Sequence, residues 1–179
     1  MRQTALPIAA ALLMTAVGLA SAQKTTPVHP GKGGSPHVKT DWTIDGANVS
    51  IEYGRPSLKG RPESQVMPRG QEWRTGADEA TTLKTDKPLK FGTLTVPAGA
   101  VTLYTVPGDK EWQLVVSKRT GQWGIPYPTG QDLGRVPMKV AKTKAPVEQL
   151  TISIDDTPAG GVLRVEWGTA SASVPFTVG

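Results

Sequence analysis

The residues with the most chemistry to offer lie between Tyr53 and Thr81. The run Tyr53-Gly54-Arg55-Pro56-Ser57 is followed by Lys59-Gly60-Arg61 and then by Trp73-Arg74-Thr75-Gly76-Ala77-Asp78-Glu79-Ala80-Thr81. Gly and Pro in such a run set backbone turns, while Arg and Trp supply recognition surface. A guanidinium presents a planar fork of donors that suits a carboxylate or phosphate. Arg55, Lys59, Arg61, Trp73 and Arg74 are therefore candidate ligand-binding residues, with Asp78 and Glu79 as acceptors and Trp123 and Tyr127 flanking the same end. Carbohydrate or an anionic envelope polymer is the ligand class such a set suits, because aromatic faces and bidentate polar groups serve both. In an extended segment the adjacent Asp78 and Glu79 point to opposite faces and do not act as one pair.

Two further readings compete with binding. A carboxylate-dependent hydrolase or isomerase needs one acid with a raised pKa near a second acid across a cleft. Asp78 or Glu79 could pair with Glu52, Glu63, Glu72, Asp132 or Glu166, and nothing in the spacing selects one combination. In the third reading the protein is a structural envelope protein, and its Arg/Trp motif is an internal brace whose arginines stitch long loops to the scaffold by pairing with Glu52, Glu72, Asp78 and Glu79. The direction in which Arg55, Arg61 and Arg74 point separates binding from bracing.

Other chemistries are set aside by composition. The chain has no cysteine, so disulfides and thiol chemistry are excluded. Its two histidines, His29 and His37, fall in or beside a segment read as lying outside the folded domain. On that reading a Ser-His-Asp triad, a histidine general acid and a zinc site lack their residues, and neither a metal site, a catalytic residue nor a cofactor is assigned. No Asp-rich loop has calcium spacing, and no Gly-rich loop opens onto a helix to cradle phosphate.

The elements that must position these residues are strands. Apolar residues alternate with polar ones at Val49-Ile51-Tyr53, Trp112-Leu114-Val116, Val136-Met138-Val140, Leu150-Ile152-Ile154, Leu163-Val165-Trp167 and Ala172-Val174-Phe176-Val178. That is the period of a half-buried strand. Turn signals separate them at Asp45-Gly46, Pro97-Ala98-Gly99, Pro107-Gly108-Asp109 and Pro158-Ala159-Gly160-Gly161. No window keeps a helical period, and the 20 Gly and 16 Pro among 179 residues act the same way. The fold class is all-β: a single antiparallel β-sandwich or jelly-roll-like domain over residues 38–179. Trp112 and Trp167 sit in register with apolar neighbours and belong to the core, and Trp42 is read the same way. Trp73 and Trp123 lie among Gly and polar residues, free to cover a ligand or to plug an end of the fold.

The N-terminus reads as an address. Arg2, an apolar run from Ala5 to Leu19 and Ala20-Ser21-Ala22 form a signal peptide over residues 1–22, cleaved after Ala22. The protein is then periplasmic or secreted. The run is too short for a membrane span, and no other stretch is long enough. Residues 23–37 hold Pro27, Pro30, Gly31, Gly33, Gly34 and Pro36 with few apolar residues, a composition that suits a flexible leader. The formal net charge of +5 carries no basic run, and export also argues against nucleic acid as a partner. The oligomeric state is left open by the sequence.

Taken together, Tyr53-Gly54-Arg55-Pro56-Ser57-x-Lys59-Gly60-Arg61, Glu72-Trp73-Arg74-Thr75-Gly76-Ala77, Glu79-Ala80-Thr81, Pro97-Ala98-Gly99, Trp112 and Gln122-Trp123-Gly124 resemble the bacterial DUF2911 family. The resemblance runs from about Val38 to Val178. It departs from the family pattern at Asp78, where Asn is usual, at Arg69-Gly70, where Tyr-Gly is usual, and at Ser117, where Asn is common. It implies an exported protein and supplies no activity.

Overall fold

The computed structural model describes residues 23–179; the expected signal peptide, residues 1–22, lies outside them. Ten strands and one short helix follow in the order β1 (Lys24–His29), β2 (His37–Ile44), β3 (Ala47–Gly54), α1 (Glu63–Val66), β4 (Thr82–Thr85), β5 (Leu89–Phe91), β6 (Leu94–Val96), β7 (Gly99–Val106), β8 (Glu111–Ser117), β9 (Asp132–Thr157) and β10 (Gly160–Val178). The class is all-β, as the alternation implies. All ten strands belong to one antiparallel sheet, in the order β1-β2-β3-β4-β7-β8-β9-β10-β5-β6. Among the described residues no helix is long and apolar enough to cross a membrane.

Local sequence accounts for the tight connections. Asp45 and Gly46 both have positive φ, 46° and 71°, which closes the β2–β3 hairpin with two residues whose twist matches the flanking strands. The apolar runs 136–140 and 150–154 are two segments of the single strand β9, and 163–167 and 172–178 are two segments of β10. Irregular register between Glu166 and Ala170 bends this long pair. The first part of β9 pairs with β8, while its far part pairs with the start of β10.

That far part returns to the beginning of the fold. The Ile152 amide donates to the Tyr53 hydroxyl at 2.8 Å. The Leu150 amide reaches the Pro56 carbonyl, and the Leu58 amide reaches the Glu148 carbonyl, both at 2.9 Å. The sheet is thus curled on itself, and residues 55–58 continue β3 across the opening. Inside lie Trp42, Ile51, Tyr53, Leu83, Trp112, Leu114, Met138, Ile152, Leu163 and Trp167, all buried.

Two expectations are corrected. Residues 24–29 are not a leader outside the fold. They form strand β1 and pair antiparallel with β2 from Lys24↔Asp41 to His29↔His37. The Gly and Pro of residues 30–36 serve the connection between two β-forming segments; Gly31, Gly33 and Gly34 have φ of 75°, 75° and 79°. Trp73 likewise belongs to the core. It bridges Thr105 of β7, stacks on Trp167 at 5.8 Å and meets the edge of Trp112 at 6.4 Å. A loop segment that reads as polar is drawn in because its one large ring completes an aromatic cluster, where each favourable pair adds about 0.5–1.5 kcal/mol beyond burial.

Candidate functional site

Cross-strand pairing builds the site. His29 and His37 stand opposite each other at the β1–β2 ladder, so their rings stack with centroids 4.2 Å apart and planes 16° apart. His37 in turn pairs with Gly54 of β3. Gly54 is the residue that lets the third component approach. A Cβ there would lie 2.3 Å from the Ala77 carbonyl oxygen and 2.7 Å from His37 Nε2. Only a residue without a side chain leaves room for both the imidazole and the 75–79 turn.

The turn itself is irregular. Thr75 and Asp78 have φ of 53° and 60°. Thr75 is buried, its hydroxyl bonded to the Trp73 carbonyl and to Thr105, while Thr81 donates back to the Thr75 carbonyl. Because the backbone turns left-handed at Asp78, Asp78 and Glu79 do not diverge as an extended segment requires. Both carboxylates reach the same imidazole nitrogen: His37 Nε2 lies 3.1 Å from Glu79 Oε2 and 3.9 Å from Asp78 Oδ2. His29 Nε2 approaches the same Glu79 oxygen at 3.5 Å.

The polar contacts assign the protons. The Gly31 amide donates to His29 Nδ1 at 3.1 Å, so the neutral ring carries its hydrogen on Nε2 and turns it toward Glu79. His37 Nε2 faces two oxygens, Glu79 and the Ala77 carbonyl at 3.0 Å, and so is also a donor. Asp78 is held separately, its Oδ2 accepting the Lys32 amide at 2.7 Å. Burial is graded across the group: His37 and Asp78 are buried, His29 is intermediate and Glu79 is exposed. The ligand atoms of His29, His37 and Glu79 all lie within 4.8 Å of one another, a grouping able to hold a metal ion. The reason for setting a metal site aside, histidines lying outside the fold, does not hold, because the segment bearing both is folded into the sheet.

A cationic wall adjoins this group. Arg74 donates from one terminal nitrogen to the Asp78 carbonyl at 2.6 Å and to the Trp123 carbonyl at 3.1 Å. Its guanidinium lies 5.7 Å from the Trp123 ring centre, and the Lys32 ammonium lies 5.1 Å from the same ring. Burial lowers the Arg74 pKa, and the neighbouring Asp78 pushes it back up.

The nine residues chosen from the sequence divide into three groups. Arg74, Asp78, Glu79 and Trp123 assemble around the histidines. Arg55, Lys59 and Arg61 brace the fold: Arg55 donates to the Leu150 carbonyl and the Thr151 hydroxyl, and Arg61 to the Leu58 and Ser57 carbonyls. Lys59 bonds Glu148 through its backbone amide. The brace partners are carbonyls and a hydroxyl; neither Arg55 nor Arg61 takes up the carboxylates foreseen for the arginines. Trp73 and Tyr127 line a separate cleft of about 390 Å³ with Arg61, Glu72, Arg74 and Ile125. Tyr127 is tied to Asp132 and Arg135, and burial with the Asp132 hydrogen bond raises its pKa.

His29, His37 and Lys32 are the residues that sequence reasoning missed. The signal was available as two histidines on either side of a Pro-Gly-rich stretch that can close a hairpin. No curated protein and no solved structure matches the chain. The model of a protein family of unknown function, DUF2911, matches residues 35–176, a span that includes His37, Asp78 and Glu79 and leaves out His29 and Lys32. With most of its length matched, the chain belongs to the DUF2911 family.

Proposed function

We propose that the protein binds a divalent transition-metal ion through His29, His37 and Glu79, in the exported setting that the reading of residues 1–22 implies. The carrying observation is the convergence of two imidazole nitrogens and one carboxylate oxygen within 4.8 Å. Two histidines and one carboxylate form a donor set that suits zinc or iron and leaves coordination positions for water or a ligand. Asp78 stands beside the group, 3.9 Å from His37 Nε2. Imidazole donors favour zinc, copper, iron and nickel over magnesium or calcium.

Binding has a defined cost. Each histidine must exchange its Nε2 proton for the ion, and the Gly31 amide must leave His29 Nδ1 as the hydrogen moves to that nitrogen. Because both imidazoles must bind in the neutral form, metal affinity depends on pH. Of the aromatic residues suited to a carbohydrate, Trp73 is buried and the exposed Trp123 has Lys32 and Arg74 beside its ring, an arrangement that suits an anion.

The test is calorimetric titration of the protein, freed of metal by chelation, with Zn²⁺. A Co²⁺ absorption spectrum reports the coordination. One ion per chain is expected, and His29→Ala and Glu79→Gln, both at accessible positions, should each weaken binding by about tenfold or more. An ion that binds equally well to both variants, or not at all to the native chain, overturns the proposal.

A further inference from the structure

We infer that the metal-loaded site takes a small oxyanion, a carboxylate or a phosphate, held between the ion and the Lys32–Arg74 wall. The inference rests on the metal reading above and names the ligand class of that same site.

Three observations lead to it. Lys32 is exposed, and its backbone amide is fixed by Asp78, so the loop holds this residue at the site. Its ammonium lies over Trp123, and among the described residues no carboxylate lies within ion-pair distance of it. Arg74 is the second. A guanidinium carries five N–H donors, and the hydrogen bonds of Arg74 to protein use one nitrogen only, through the Asp78 and Trp123 carbonyls. Its remaining edge keeps donors in the planar arrangement that fits two oxygens of one anion.

Charge is the third observation. Lys32 and Arg74 match Asp78 and Glu79 in number, and imidazoles that bind a metal do so in the neutral form. A divalent cation on His29, His37 and Glu79 leaves the region with two uncompensated positive charges, partly removed from water. An oxyanion on an open position of the ion restores the balance and gives Lys32 and Arg74 an acceptor. Burial already disfavours the charged form of Arg74, so an anion beside it removes part of that penalty.

Cooperativity follows, since ion and anion should each tighten the other by the same factor. The experiment titrates malonate and, separately, inorganic phosphate into the native protein with and without saturating Co²⁺, following heat and Trp fluorescence. At least one of the two is expected to bind about tenfold more tightly with the ion present, with Co²⁺ tightened equally by that anion. Preference for malonate over phosphate, or the reverse, tells the carboxylate source from the phosphate source. Lys32→Gln should weaken the anion about threefold to tenfold and leave anion-free Co²⁺ affinity within about twofold. Anion affinity indifferent to Co²⁺, or to Lys32→Gln, overturns the inference while the metal reading stands. Failure of Co²⁺ itself to bind removes both.

Discussion

Gly54→Ala is the sharpest perturbation of the site, because it adds one methyl and alters no ligand. Gly54 does not have a positive φ, so the substitution is not strained by its own backbone conformation. The difficulty is room: the new Cβ would sit 2.3 Å from the Ala77 oxygen and 2.7 Å from His37 Nε2, where ordinary contact begins at 3.4 Å. Either the 75–79 turn or the His37 ring must withdraw by roughly 1 Å, an overpacking that costs about 1–3 kcal/mol. For a chain of this size each kcal/mol corresponds to roughly 2–4 °C, so the melting temperature should fall by about 2–12 °C. The withdrawal also separates His37 from Glu79, and Zn²⁺ affinity should fall by about tenfold or more, as when a supporting partner of a metal ligand is lost. Thermal melting and zinc titration of the same preparation read both effects. Gly60→Ala is the control: its φ is +75°, nothing lies within 4 Å of its Cβ, and it should lose about 1 kcal/mol with no change in zinc affinity. A Gly54→Ala protein that melts within a degree of the native one and binds zinc as tightly would show that the site does not depend on this close approach.

Other outcomes are expected elsewhere. Tyr53→Phe leaves the buried Ile152 amide without its acceptor and should cost about 1–3 kcal/mol in denaturant unfolding, with zinc affinity unchanged. Arg55→Ala removes two bonds to the far part of β9 and should cost about 1–3 kcal/mol, whereas exposed Arg61→Ala, bonded only within its own loop, should cost less than about 0.5 kcal/mol. Equal losses in those two variants would show that the bonds of Arg55 to β9 add nothing beyond a contact within a loop. Asp86 accepts from the Asn48 backbone and side-chain amides, and these bonds lower its pKa below the ordinary carboxylate value. Its contribution to stability is therefore full above the unfolded Asp value of about 3.9 and is lost as pH falls through the lower folded value. A carboxyl carbon titration by NMR should find the Asp86 midpoint below that of a random-coil Asp.

The parts of the fold governed by alternation were open to sequence reasoning, since every alternating run lies in a strand and Trp42, Trp112 and Trp167 are buried. The short strands β4, β5 and β6 were not, because three or four residues give alternation too little length to register. The joining of two runs into β9 was hidden by Pro146 and the polar residues of its middle. At the site, Arg74, Asp78, Glu79 and Trp123 could be found as unusual residues in one region. Their partners could not, because Gly and Pro composition was read as disorder when it marks a connection between strands. The left-handed turn at Asp78 was also out of reach, since a non-glycine residue with positive φ leaves no reliable mark in a single sequence.

The position of β1 at the edge of the sheet has a consequence for how such a centre could be gained or lost. His37, Asp78 and Glu79 belong to the span shared with the family, while His29 and Lys32 come from an arm that precedes it. Strand β1 of the arm pairs with β2, His29 and Lys32 reach Glu79 and Asp78, and the residues before His29 are exposed, so those residues can change without disturbing the buried interior. On the metal reading, two donors of the set come from the matched span and the third from this edge piece. Changes in eleven or so residues of that piece could retune or erase the chemistry of a domain that otherwise stays the same.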